Sequence, residues 1–137
     1  LKIDSPNRLK PFKSVRTMPY PGFPTDAQAV MMSVATVAKG TTVFVENIFE
    51  SRYRHVEDLT RLGANIKVAN KVAVVEGVDR LFGAKVVAKE LRGAAALVVA
   101  SLKAEGRTEI EGIKYLERGY EDLEVVLSSL GANIRKV

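Results

Sequence analysis

Apolar residues recur with two different periods along this chain, which predicts both helices and strands. Thr25-Asp-Ala-Gln28 has the form of a capping box, so we expect a helix to begin at Thr25. Gly40 is a suitable left-handed stop for that helix. The apolar positions that follow Thr25 at helical spacing, and so predict the buried face, are Val30, Met31, Val34, Val37 and Ala38.

Shorter apolar runs follow this helix. Residues 41–46 are β-branched and apolar enough to form a strand. Val56 to Leu62 has the spacing of a short helix, which Gly63 would end. Two further strands are predicted at 66–69 and 72–75, and Asn70-Lys71 would join them in a tight turn.

The second half of the chain repeats the first. Ala38-Lys-Gly-Thr-Thr corresponds to Ala104-Glu-Gly-Arg-Thr, and Leu62-Gly-Ala-Asn-Ile66 corresponds to Leu130-Gly-Ala-Asn-Ile134. The offset is 66 positions from Gly40 to Gly106 and 68 positions from Gly63 to Gly131. The chain therefore contains a duplicated supersecondary unit.

Each copy is predicted to run β-α-β-α-β-β, which places the protein in the mixed α/β class. We expect unit one at about residues 13–78 and unit two at about 84–137, both within one domain that spans residues 1–137. The last strand of unit two would be missing. The elements predicted for unit two are a strand at 85–88, a helix at 91–104, a strand at 108–111, a helix at 118–130 and a strand from Ala132.

Composition excludes several kinds of chemistry. The 137 residues are 47% apolar, which is typical of a globular domain, and no apolar run approaches the ~20 residues that span a bilayer. We therefore predict a cytoplasmic protein that does not bind membranes. Cysteine is absent and there is one histidine, so disulfides, thiol nucleophiles and Cys or His metal sites are not expected.

The net charge of +5 favours anionic partners, although a basic surface that only maintains solubility explains the charge equally well. Nucleic acid is the weaker interpretation, because no basic run alternates with stacking aromatic residues.

Three charged residues lie at predicted helix starts. An acid at Asp26 complements the helix dipole, but the proline-rich approach to it also suits a carboxylate held at a fixed point. Arg92 and Arg118 oppose the dipole, which predicts an anionic neighbour. That neighbour is either a ligand with carboxylate or phosphate oxygens or, for Arg92, the nearby Glu90. His55 is interpreted as a surface or capping residue.

Four motifs follow one another along the chain: Pro21-Gly-Phe-Pro-Thr-Asp26, Ile48-Phe-Glu-Ser-Arg-Tyr53, Leu91-Arg-Gly-Ala-Ala-Ala-Leu97 and Arg118-Gly-Tyr-Glu121. In this order they resemble the C-terminal third of the UDP-N-acetylglucosamine 1-carboxyvinyltransferase family of enolpyruvyl transferases. The resemblance covers nearly the whole chain.

The resemblance implies an inside-out α/β barrel built from repeated units, two of which would lie in this chain. It implies transfer of the enolpyruvyl group of phosphoenolpyruvate to the 3-hydroxyl of UDP-N-acetylglucosamine, with release of phosphate. This is the first committed step of peptidoglycan synthesis, and it needs no metal or other cofactor. Substrates would bind between this domain and an N-terminal part of the same protein.

Site residues carry over by position. Asp26 matches an aspartate proposed to take the proton of the sugar hydroxyl, and the backbone at Ile48 with Phe49 matches the segment that lines the UDP-sugar site. Arg92 and Arg118 match arginines that face phosphoenolpyruvate. Glu90 stands where the family usually has a catalytic-site aspartate, and we expect its extra methylene to alter activity.

The resemblance leaves alternatives open. The family's cysteine loop and substrate-binding lysine lie outside this chain, so we expect the chain alone to be inactive, to bind ligand weakly and to self-associate through uncovered apolar faces. The related 5-enolpyruvylshikimate-3-phosphate synthases share the fold and take a smaller acceptor. A non-catalytic paralogue or binding module with the same fold is the other alternative.

Overall fold

The computed structural model describes residue 4 and residues 6–137, which form four α-helices, one 3₁₀ helix and eight strands. The helices are α1 (Thr25–Ala35), α2 (Val56–Arg61), α3 (Leu91–Ser101), α4 (Leu123–Ser129) and the 3₁₀ helix (Ile113–Tyr115). The strands are β1 (Ser14–Arg16), β2 (Thr41–Val45), β3 (Asn65–Ala69), β4 (Val72–Glu76), β5 (Leu81–Phe82), β6 (Lys85–Val87), β7 (Ala104–Glu105) and β8 (Glu109–Glu111).

Unit one forms a four-stranded sheet in the order β1-β2-β4-β3. β1 is parallel to β2, with Val15 opposite Phe44, and α1 makes the crossover between them. β3 and β4 form an antiparallel hairpin whose turn at Asn70 has a φ of 54°, a conformation that asparagine adopts more readily than most residues. The strands and the hairpin predicted for this unit are confirmed within one residue at each end.

Unit two repeats the parallel crossover. β6 is parallel to β8, with Val86 opposite Ile110, and α3 connects them as α1 connects β1 and β2. A second short parallel pair joins β5 to β7. The mixed α/β class is confirmed, whereas closure into an inside-out barrel and the unit boundaries at residues 78 and 84 stay predictions.

The end of unit two differs from the prediction. The helix expected from Arg118 begins only at Leu123, because Asp122 is left-handed (φ 44°) and residues 116–121 form turns. Residues 132–137 form no strand, so the strand predicted from Ala132 is wrong. Helix α3 also ends at Ser101, three residues before its predicted end, because Ala104 pairs in β7.

Helices α1 and α3 pack against each other and position the site, since both begin on the same side of the protein. Their interface contains small residues, and the Ser33 hydroxyl donates a hydrogen bond to the carbonyl oxygen of Ala96 across it (2.7 Å). The apolar face predicted for α1 is therefore confirmed only in part, since Ala38 is fully buried and Met31 and Val37 pack against the core, but the most buried side of the helix is a different one. The buried residues of α1 are Gln28, Ala29, Met32, Ser33 and Ala35, whereas Val30, Met31 and Val34 are only partly buried.

The capping box predicted at Thr25 is also absent from the structure. Pro24 occupies the N-cap position, and no side chain caps this end of α1. The Thr25 hydroxyl instead donates to Glu46 (2.9 Å), and Gln28 is buried with its side-chain nitrogen bonded to none of the residues described. The tertiary bond to Glu46 therefore replaces the local capping bond that Thr25 was expected to form.

One apolar core connects the two units. It is built from both sides of the helix pair and from the inner faces of the sheets, and its members include Met32, Phe44, Leu59, Val86 and Leu97. Helix α4 lies outside it, with Leu130 78% exposed and Val125 and Val126 also exposed. Self-association through such faces stays a prediction. In the part of the chain that the coordinates describe, every helix is too short or too polar to cross a lipid bilayer.

Candidate active site

The centre of the candidate site is an ion pair between the first turns of α1 and α3. Asp26 Oδ1 accepts a hydrogen bond from Arg92 Nε at 2.5 Å. The Asp26 side chain is 61% exposed and that of Arg92 is 34% exposed, so both groups remain accessible to a ligand. The anionic neighbour that the helix dipole predicts for Arg92 is therefore Asp26, and the alternative of an ion pair with Glu90 is wrong.

The two partners occupy equivalent positions in the two repeats. They are 66 residues apart, which equals the offset between Gly40 and Gly106. Asp26 is the second residue of α1, and Arg92 is the second residue of α3. The repeat thus places a carboxylate and a guanidinium at equivalent helix starts, and the packing of α1 on α3 brings them together.

The ion pair shifts the pKa values of both groups. The hydrogen bond from Arg92 lowers the pKa of Asp26 below its ordinary value of 3.8, partial burial opposes this, and the charges of Arg92 and Arg52 lower it further. The pKa of Arg92 is raised by the same hydrogen bond. Asp26 is therefore ionised at neutral pH, and the pair is lost only as the pH falls through the lowered pKa.

The turn after β2 also lies near Asp26. Phe49 is exposed on this turn, and the Arg52 guanidinium lies 4.4 Å from the centroid of the Phe49 ring. Arg52 Nη2 also approaches Asp26 Oδ1 at 3.8 Å. The amides of Ile48 and Phe49 are fixed by bonds to Glu46, so the predicted ligand segment is held in one conformation beside Asp26.

Glu90 is the N-cap of α3. Its carboxylate accepts hydrogen bonds from the amides of Arg92 (3.1 Å) and Gly93 (2.6 Å), which satisfies two of the free N–H groups at this helix start. This cap holds the backbone of Arg92 in place. Glu90 thus has a structural role here, and a catalytic role for it stays a prediction.

A cavity of about 260 Å³ opens beside the start of α3. It is lined by Glu90, Leu91, Arg92, Tyr115 and Arg118. Arg118 reaches it from the turns that follow the 3₁₀ helix, not from a helix start as the sequence predicts. Two predicted arginines therefore share one cavity, and Asp26 adjoins it through its ion pair with Arg92.

His55 occupies the N-cap position of α2, as one of its two interpretations expects, but its side chain makes no capping bond and lies inside the protein, so the interpretation as a surface residue is wrong. It is 4% exposed and packs beneath the first turn of α3. A Cβ atom at Gly93 would lie 2.7 Å from Glu90 Oε1 and 3.0 Å from His55 Cβ, so a larger residue there would displace both neighbours. Neither ring nitrogen forms a hydrogen bond with any residue described in the structure. Burial lowers the pKa of His55 to about 4, although the charges of Glu90 and Asp58 oppose this shift.

His55 should make stability depend on pH. Unfolding restores its pKa to about 6.5, so the unfolded state binds more protons than the folded state between pH 6.5 and pH 4. We expect the free energy of unfolding to fall by about 3 kcal/mol across this range. Urea titrations at several pH values would measure it. His55→Leu should remove this part of the slope, and equal slopes in the parent and the variant would contradict the assignment.

The sequence interpretation missed two contributors to the site. The sequence motif includes Arg52 but assigns it no role, although a spacing of three residues from Phe49 allows the contact with the ring. Glu46 was read as a strand residue, although it is a carboxylate within an apolar run and is 1% exposed. A charge in such a run is a signal of a buried polar role. No cluster of three or more metal-binding side chains occurs among the residues described.

The sequence of this chain is similar to those of known proteins. Residues 2–127 match the profile of the family described as EPSP synthase (3-phosphoshikimate 1-carboxyvinyltransferase). The chain is 50% identical over all its 137 residues to UDP-N-acetylglucosamine 1-carboxyvinyltransferase 2 of Caldanaerobacter subterraneus subsp. tengcongensis and covers 33% of that protein. It is 52% identical over 134 residues to UDP-N-acetylglucosamine 1-carboxyvinyltransferase of Desulfofundulus thermocisternus and covers 55% of it.

Solved structures show the same fold. The enolpyruvyl transferase NikO from Streptomyces tendae superposes with a TM-score of 0.82 at 32% identity over 93% of this chain, which corresponds to 29% of NikO. An EPSP synthase from Acinetobacter baumannii is similar in fold alone, with a TM-score of 0.64 at 19% identity over 82% of this chain and 26% of that one. The chain spans about a third of the length of most of these proteins. The paired helix starts, the shared cavity and the match over residues 2–127 lead to one conclusion: this chain belongs to the enolpyruvyl transferase family described as EPSP synthase (3-phosphoshikimate 1-carboxyvinyltransferase).

Proposed function

We propose that the full-length protein containing this chain transfers the enolpyruvyl group of phosphoenolpyruvate to the 3-hydroxyl of UDP-N-acetylglucosamine and releases phosphate. This would be the first committed step of peptidoglycan synthesis, and we assign it to the cytoplasm. The observation that carries the proposal is the pair of Asp26 and Arg92 at the mouth of a cavity that Arg118 also lines. The chain supplies one wall of the site, and the remainder of the protein supplies the other.

Each charged group has a role that its position supports. Asp26, ionised and exposed, takes the proton of the sugar hydroxyl as a general base. Arg92 and Arg118 face the carboxylate and phosphate of phosphoenolpyruvate and neutralise charge as it shifts during addition and elimination. The Ile48 backbone and the exposed Phe49 ring line the sugar-nucleotide side. Glu90 keeps Arg92 in register by capping α3.

The nature of the acceptor is supported by the relatives at 50% and 52% identity, whose names specify UDP-N-acetylglucosamine. The family profile is described by the shikimate enzyme, which uses the same enolpyruvyl donor. A non-catalytic module is a weaker candidate, because Glu90 replaces the usual aspartate yet still caps the helix that carries Arg92.

A phosphate-release assay would test the proposal. The full-length protein, given phosphoenolpyruvate, should release phosphate with UDP-N-acetylglucosamine and not with shikimate 3-phosphate. The opposite preference would identify the shikimate enzyme, and sugar-nucleotide binding without phosphate release would identify a non-catalytic module. The 137-residue chain alone serves as the control and should release none, because it provides a single wall of the site.

A further inference from the structure

The carboxylate of Glu46 is buried at the end of β2 and uses both of its oxygens. Oε2 accepts a hydrogen bond from the Thr25 hydroxyl at 2.9 Å. Oε1 accepts two, from the amides of Ile48 (2.9 Å) and Phe49 (3.1 Å). An ionised carboxylate is costly to bury unless such donors surround it, so this arrangement calls for an explanation.

The donors come from two different segments, both of which lie near Asp26. Thr25 is the first residue of α1 and directly precedes Asp26. Ile48 and Phe49 belong to the turn after β2, from which Arg52 packs over the Phe49 ring and approaches Asp26. Glu46 therefore connects the helix start that carries the acid to the turn that carries the aromatic ring.

The hydrogen bond from the Thr25 hydroxyl to Glu46 indicates how Glu46 positions α1. Thr25 is the first residue inside α1, one position after the Pro24 N-cap, and its hydroxyl bonds to Glu46 at the end of β2 and not to the backbone of its own helix. The bond therefore fixes where α1 begins relative to the sheet and not merely that it begins. A displacement of about 1 Å at a reacting group can lower a rate about 10²-fold.

We propose that Glu46 is a positioning residue of the site, which holds Asp26 and the Ile48-Phe49 turn at a fixed separation through the Thr25 hydroxyl and two backbone amides. This inference rests on the proposed function for its kinetic consequence. It adds a buried group that touches neither substrate and acts on the side of the site assigned to the sugar nucleotide.

The kinetic test removes the hydrogen bond from Thr25 to Glu46 while keeping the size and shape of the side chain. Thr25→Val in the full-length protein should lower kcat about tenfold, because Asp26 loses its fixed position, and should change KM for phosphoenolpyruvate by less than about twofold. Thr25→Ser keeps the hydroxyl and should restore kcat to within about twofold of the parent. Thr60→Val is the matched control, since the Thr60 hydroxyl bonds only to the Val56 carbonyl oxygen of its own helix (2.9 Å).

A spectroscopic test does not depend on activity. Burial, and next the charge of Glu46, raise the pKa of Tyr53 to about 12, and the Tyr53 hydroxyl donates to the carbonyl oxygens of Phe44 and Lys71 close to Glu46. Glu46→Gln removes the charge while keeping the shape. Ultraviolet titration should then show ionisation of Tyr53 at lower pH, and hydrogen exchange at the Ile48 and Phe49 amides should become faster.

The two tests separate failure of this inference from failure of the proposed function. An active parent whose Thr25→Val variant matches Thr60→Val in kcat, or whose Thr25→Ser variant fails to recover, would overturn the positioning role. A parent that releases no phosphate would overturn the proposed function. In that case the spectroscopic test decides, because an unchanged Tyr53 titration together with unchanged amide exchange in Glu46→Gln would overturn the structural role of Glu46.

Discussion

Asp26→Asn in the full-length protein is expected to lower kcat by about 10²–10⁴-fold, the range that a general base contributes. The asparagine side chain can still accept the hydrogen bond from Arg92 through its oxygen, so the geometry at the start of α1 should persist. What is lost is the ability to take a proton from the sugar hydroxyl. Steady-state phosphate release with saturating UDP-N-acetylglucosamine would measure the effect.

Asp79→Asn is the matched control for this prediction. Asp79 also pairs with an arginine, since Arg8 Nη1 lies 2.5 Å from its Oδ1, but this exposed pair lies away from the start of α3. Its loss should leave kcat within about twofold of the parent, as expected for a surface ion pair. If Asp26→Asn retained more than a tenth of the parent kcat, Asp26 would not be the base.

Arg92→Ala is expected to lower kcat/KM for phosphoenolpyruvate by about 10²–10³-fold. The Arg92 guanidinium has a fixed orientation, because Nε bonds to Asp26 and the Glu90 carboxylate accepts a hydrogen bond from the Arg92 amide. Its charge would stabilise negative charge that develops on the substrate during transfer. Initial rates at varied phosphoenolpyruvate concentration would give the change.

Two further variants make the result interpretable. Arg92→Lys keeps the charge but loses the planar fork that binds carboxylate or phosphate at two points, so it should recover only part of the lost activity. Arg80→Ala removes an exposed arginine paired with Glu105 (3.3 Å) and should leave kcat/KM nearly unchanged. Full recovery by lysine would show that net charge suffices and would contradict the role of the oriented fork.

Local sequence patterns predict the strands of unit one and the starts of the first three helices well, because these depend on short-range chemistry. β-branched runs identify β2 and β4, and Asn70 identifies the turn between β3 and β4. The internal repeat predicts a strand, a helix and a strand at the start of each unit, and in the structure both are parallel crossovers. Failures occur where the decisive partner is remote in sequence.

The buried face of α1 illustrates this limit. Apolar periodicity indicates Val30 and Val34, but the side of α1 that meets α3 carries Ser33, whose hydroxyl is satisfied by the carbonyl oxygen of Ala96. A polar residue whose partner lies on another helix looks exposed when only its own helix is considered. The burial of His55 is missed for the same reason, since the residue that packs closely on it, Gly93, is 38 positions away in the sequence.

The pairing of Asp26 with Arg92 could have been found from the sequence with one more step. The repeat offset of 66 places the two residues at equivalent positions, and equivalent helices in a duplicated unit pack around a common interior. The direction of Arg118 could not have been found in this way, because the left-handed Asp122 delays the start of α4 and moves Arg118 onto the preceding turns.

The contact between α1 and α3 also links the charged pair to the protein interior. Asp26 and Arg92 lie on two helices that meet at the hydrogen bond between Ser33 and Ala96. Because protein interiors are close-packed, an extra methyl group at that contact should push the two helices apart. A buried substitution would then lengthen the bond between Asp26 and Arg92 without altering either side chain.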